Sequence, residues 1–239
     1  MYEDPSISLM RIHNLLLACS PETGFAFFAS QIERYAHQRD ATSQRELIFT
    51  ARAFVKLKSQ AEFVEKLPDF YACALPDETL SQLTRACFTD YGPSKLSHAE
   101  TDLQNAQTLI SQPLGVQKAM ARGHMRHQQE ALLHSPWPQV VEILCTNPDI
   151  QQRDIVRMAS KRASVNELLE PILFSSWSAR TEVRFALAAN PALNASHAMR
   201  CAASLPRDKL KILAQMPELH DFVRQFVRSL LSYGMERVG

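Results

Sequence analysis

The chain has 239 residues, 5 cysteines and a formal net charge of +1 at pH 7. That length can bury a sizeable core as one long domain or two. The near-balance of charge implies neither an acidic solvating tail nor a strongly basic nucleic-acid module. Only 6 glycines are present and no Asn-Gly or Asp-Gly hairpin signal occurs, so an all-α fold is expected.

The cysteines (Cys19, Cys73, Cys87, Cys145, Cys201) are widely spaced and form no CxxC pair. They read as buried thiols of a reducing compartment. Leu15–Cys19 is too short for a signal peptide's apolar region, and no window approaches the roughly 18 apolar residues of a membrane span. A soluble, cytoplasmic protein with no membrane partner is expected.

In chain order, Ser20-Pro21-Glu22 starts a helix with a capping hydroxyl, a proline and an acid in the first turn. Phe25, Phe28, Ile32 and Tyr35 follow at helical spacing, as do Leu47, Phe54 and Leu57 further on. Capping-box spacings occur at Ser43/Glu46, Ser59/Glu62, Ser97/Glu100 and Ser164/Glu167. The stretch Thr89-Asp-Tyr-Gly-Pro-Ser94 is the clearest break. The expected organisation is an N-terminal helical bundle over 1–92, a repeat array over 95–216, and a capping helix over 217–239 carrying Phe222, Val223, Phe226, Val227 and Leu230. Net charge divides unevenly, −4 over residues 1–149 and +5 over 150–239.

Val140-Val-Glu-Ile-Leu-Cys-Thr-Asn-Pro-Asp-Ile150 returns 43 residues later as Val183-Arg-Phe-Ala-Leu-Ala-Ala-Asn-Pro-Ala-Leu193. Residues 140–162 and 183–205 share 6 of 23 positions, Arg157/Arg200 and Ala159/Ala202 among them. Chance gives roughly one or two. A Trp in a Ser-rich turn precedes each copy, at Ser135-Pro-Trp137 and Ser175-Ser-Trp177. The spacing predicts first helices over 138–146 and 179–189 and second helices over 151–162 and 194–204. Asn147 and Asn190 then stand at helix ends, where Asn tolerates a left-handed C′ conformation and the following Pro stops the helix. Val140, Ile143, Leu144, Ile155, Val156, Met158, Ala159 and Ala163 form the apolar stripes of such a pair. A pair that small cannot bury its apolar faces alone, and stacking on neighbouring pairs solves the problem.

Pro113–Ala121, Val140–Pro148, Asp154–Ala159 and Glu182–Pro191 together resemble bacterial HEAT-like proteins of the leucine-rich-repeat-variant kind, whose helix ends read V-R-x-A-L-A-x-N-P. The resemblance covers about residues 110–215 and implies an α-α superhelix whose second helices line a concave surface. Around 113–121 the Asn-Pro is missing, so the number of repeats is open.

Three side-chain sets could carry function. His124, His127 and His134 fall near a common face if 124–134 is one helix. A metal site would want further ligands that the face lacks, and a polar outer face is the preferred reading, with no metal or cofactor. Phosphate-loop, zincin and nucleophile-elbow motifs are all absent, so no enzymatic activity is expected. Arg153, Arg157 and Lys161 line one side of a second helix, matched by Arg200 in the next copy, with Arg180 and Arg184 nearby. Such a stripe is by default a solvated face. As a ladder facing the groove it would suit an acidic peptide, phosphate or nucleic acid. Trp137 and Trp177 are either rim aromatics or packing between repeats. The expected function is a non-enzymatic scaffold binding another protein, with a nucleic-acid-binding groove like that of HEAT-like DNA glycosylases as the alternative.

Overall fold

The computed structural model describes residues 5–57, 60–88, 112–162 and 164–233. The expected break at 89–94, the spacings Ser59/Glu62 and Ser97/Glu100, and Ala163 lie wholly or partly outside these. Among the described residues the chain is helical throughout and contains no strand. The helices are α1 (Pro5–Ala18), α2 (Pro21–Gln38), α3 (Ala41–Leu57), α4 (Ala61–Val64), α5 (Leu67–Ala72), α6 (Glu78–Phe88), α7 (Leu114–Arg122) and α8 (Arg126–Leu132). They continue as α9 (Pro138–Thr146), α10 (Gln152–Ala159), α11 (Asn166–Phe174), a 3-10 turn (Ser176–Ala179), α12 (Thr181–Ala188), α13 (Ala195–Ala203), α14 (Arg207–Gln215) and α15 (Asp221–Tyr233). None of them is long and apolar enough to cross a membrane.

The chain forms two compact units. The first gathers residues 1–90 with 199–215 and 222–239, and the second gathers 91–198 with 216–221. Residues 199–215, expected in the repeat array, and most of the last helix therefore cluster with the N-terminal helices. That last helix begins at Asp221, not at Pro217.

In the first unit α2 packs against α3, α5 and α6, and α1 against α3. Ser20 caps α2 by accepting the Thr23 N–H, as its sequence context predicts. Phe25 and Phe28 sit one turn apart on the inner face of α2 and meet Phe70 and Phe54 edge-on, with ring centroids 5.3 and 5.4 Å apart. Edge-to-face contacts of this kind add to the burial of the rings themselves. The expected box at Ser43/Glu46 does not form. Asp40 accepts the Thr42 and Ser43 N–H groups at 2.8 Å, so the helix starts three residues earlier and Ser43 is buried inside it. Glu46 pairs instead with Arg34.

The helices of the sequence repeat lie mostly in the second unit, with α13 divided between the two units and α14 in the first. First helices α9 and α12 and second helices α10 and α13 fall where the sequence places them. A third helix, which the repeat reading leaves out, follows each second helix in the chain: α8 after α7, α11 after α10, α14 after α13. Second helices pack on the next first helix, α7 on α9 and α10 on α12. Val140, Leu144, Ile155, Ala159, Val183, Leu187, Ala198 and Ala202 are all buried, while Ile143 and Val156 are half-buried.

Asn147 and Asn190 do the same job, though not the one expected. Neither is left-handed; Asn147 has φ −72° and ψ 127°. That is the extended region into which a following proline forces its predecessor. The reason for asparagine is its side chain. Asn147 Nδ2 donates to the carbonyls of Ala121 (2.8 Å) and Gly123 (3.0 Å), at the end of α7. Asn190 Nδ2 donates to Ala159 (2.8 Å) and Lys161 (2.9 Å), at the end of α10. Each Oδ1 accepts the N–H two residues on, from Asp149 and Ala192, closing an Asx turn over the proline. One buried amide thus satisfies two carbonyls that a helix end leaves open and ties each first helix to the second helix before it.

Candidate interaction surface

Seven residues carry the sequence expectation of a binding surface, and the fold sorts them into two groups. Arg153 and Arg157 are exposed on α10, four residues apart and therefore one turn apart. Lys161, just beyond α10, is half-buried and its Nζ donates to His134 Nδ1 at 3.2 Å. An ammonium has no acceptor, so the imidazole must carry its proton on Nε2. This bond holds the end of α10 beside the turn leading into Trp137, whose side chain is 41% exposed.

Arg184 and Arg200 belong to the interior, and Trp177 is half-buried. Arg184 is 2% exposed and its guanidinium donates to Ser178 O (3.1 Å), Ala179 O (2.7 Å) and Thr181 Oγ1 (3.3 Å), closing the 3-10 turn before α12. Its sequence counterpart is the buried Val141, a hint that this position faces inward. Half-buried Trp177 donates its indole N–H to Cys145 O at 2.9 Å, so this tryptophan packs between helices. Trp137 has no such bond among the described residues, although Ser135 and Ser175 accept the two Trp backbone N–H groups in the same way.

Arg200 corrects the expected ladder. It is 5% exposed, donates Nε to Cys87 O, and lies 5.4 Å over the Phe54 ring. Its flanking register partners Ser196 and Ser204 are buried as well. The matched arginines therefore do not share a solvent-facing surface. The physical reason is the whole of α13, where small residues on every side let the helix be buried all round. Beside Arg200, burial pushes the Cys87 thiol up to about 12, with the guanidinium pulling the other way.

The histidines do not share a helix. His124 lies in the α7–α8 loop, with Nδ1 2.5 Å from Asp149 Oδ2; His127 is exposed on α8; His134 lies past its end. Among the described residues no group of three His, Cys, Asp or Glu side chains is placed to hold a metal ion.

One strong ion pair went unseen in the sequence. Arg126 grips the buried Asp154 with both terminal guanidinium nitrogens, at 2.6 and 2.7 Å, and donates Nε to Glu130. Those hydrogen bonds hold the Asp154 carboxyl below its ordinary value, against the opposing effect of burial. Asp154 also closes a capping box with Gln151 at the start of α10. An acid in a first helical turn is favoured by the helix dipole alone, whereas a partner 28 residues away is a tertiary fact. Two acids at the start of α10 are thus engaged, Asp154 with Arg126 and Asp149 with His124. Arg153 and Arg157 make no hydrogen bond or ion pair among the described residues. Compared with known protein families, curated proteins and solved structures, the chain matches none.

Proposed function

We propose that this chain is a non-enzymatic interaction protein that binds another protein through stacked helical repeats of the HEAT-like, α-solenoid kind. The observation carrying the reading is the duplicated Asn clamp, the same amide joining a first helix to the preceding second helix twice, 43 residues apart. Repeats stacked by nearest-neighbour contacts form extended surfaces suited to binding partners. A cytoplasmic setting belongs to the same proposal and is supported by five free thiols.

The test is affinity capture with the full chain from its host, with and without nuclease, followed by mass spectrometry and reconstitution from purified components. A protein that is retained after nuclease treatment and binds the purified chain supports the reading. Capture that disappears with nuclease, together with direct binding of labelled nucleic acid, replaces it with the nucleic-acid alternative.

A further inference from the structure

We propose that the outer edge of α10 is a docking site for an acidic helical segment of a partner protein, gripped by Arg153 and Arg157 and flanked by Trp137. This rests on the interaction-protein reading above and names its surface. Charge complementarity is the argument. Two exposed guanidinium groups stand about 6 Å apart along the helix axis, matching carboxylates at i and i+4 on a facing helix. Asp154, which also feels the Arg153 charge, is bonded to Arg126, and Asp149 to His124; neither arginine makes a hydrogen bond or ion pair among the described residues. Arginine's planar fork binds carboxylate with two hydrogen bonds at once, which lysine cannot do. Exposed Trp137, three residues after the His134 that bonds Lys161 at the end of α10, offers an apolar contact on the same side of the repeat, and aromatic residues with arginine anchor many interfaces.

A duplex fits this edge poorly. Nucleic acid carries a charge about every 1.7 Å and needs a continuous positive track. Here the positive charge on the exposed side of α10 is two guanidinium groups, too few to make such a track. A short acidic helix needs no more than two.

The probe is a fluorescent helical peptide with Glu at i and i+4 and Leu one turn away, titrated by anisotropy into the full chain. Controls are the Gln-for-Glu peptide and a labelled DNA duplex. The expected result is saturable binding of the Glu peptide, at least tenfold weaker for the Gln peptide. Arg153→Glu with Arg157→Glu should abolish it, Trp137→Ala should weaken it several-fold, and the circular dichroism of both variants should match the wild type. Equal binding of the two peptides, no saturation at millimolar peptide, an unaffected double-Glu variant, or tighter binding of the duplex overturns the proposal. A native partner that the double variant captures as well as the wild type sinks this surface alone and leaves the scaffold reading standing.

Discussion

Asn190 shows how much one side chain can decide. Its amide is buried and feeds two carbonyls at the end of α10. Asn190→Ala leaves both without that donor, and a cost of about 2–3 kcal/mol is expected from urea unfolding. Asn190→Asp is nearly isosteric yet should be at least as damaging at neutral pH, because a carboxylate oxygen would face two carbonyl oxygens. An Asp variant as stable as wild type would remove the clamp from the account. Arg126 offers a second test at this scale, through pH. The Asp154 carboxyl is held low in the folded chain, first by its hydrogen bonds to Arg126. A depressed folded value stabilises fully above the ordinary Asp value of about 3.9 and is lost as pH falls through the folded value. Arg126→Gln should therefore melt below wild type at neutral pH, with the gap closing as pH is lowered from about 4 towards 2. A gap independent of pH in that window would show that Arg126 acts by packing and not by charge.

At the scale of elements, α10 and α13 occupy the same repeat register in opposite surroundings. Arg157 is exposed and Arg200 is buried against Cys87 and Phe54. Arg157→Glu should change stability by less than about 0.5 kcal/mol. Arg200→Glu buries a carboxylate beside a carbonyl oxygen and should cost more than about 3 kcal/mol. Parallel thermal melts decide this, and equal melting temperatures would mean that α13 is not buried as described. The first and second helices were legible because short-range cues coincide there, with apolar spacing before Asn-Pro and a stop after it. Their third companions were less legible. In α11 a proline, Pro171, lies inside the helix and blurs the pattern. Ser164/Glu167 fails as a cap because the helix begins after Val165, one residue beyond the serine. Side-chain spacing alone cannot distinguish these two registers.

For the whole molecule, the cysteines give a global readout. Cys87, Cys145 and Cys201 are buried, while Cys19 and Cys73 are only half-buried. Burial pushes the Cys87 and Cys145 thiols up to about 12, so neither ionises near neutrality. An aromatic disulfide reagent at about pH 8 should reach at most Cys19 and Cys73 in the native chain, and all five after denaturation. Immediate reaction of a third thiol would contradict the burial of the other three. The same scale explains why residues 199–215 and 222–239 group with the N-terminal helices. Their amphipathic pattern requires an apolar partner but does not say which helices supply it.

The sequence by itself determined the helical class, the position of the paired helices and the special standing of Asn147 and Asn190. All three follow from local spacing and chain stereochemistry, which act within a turn or two. It also made Arg157 and Arg200 look equivalent, as their matched positions do resemble each other over that range. Tertiary structure alone decided that one faces water and the other the carbonyl of Cys87, 113 residues away in the chain. It likewise brought Arg126 to Asp154 and left Arg153 and Arg157 exposed, with no ion pair among the described residues. Environment depends on which surfaces meet, and a helical period specifies that a face is apolar or charged without specifying what it will touch.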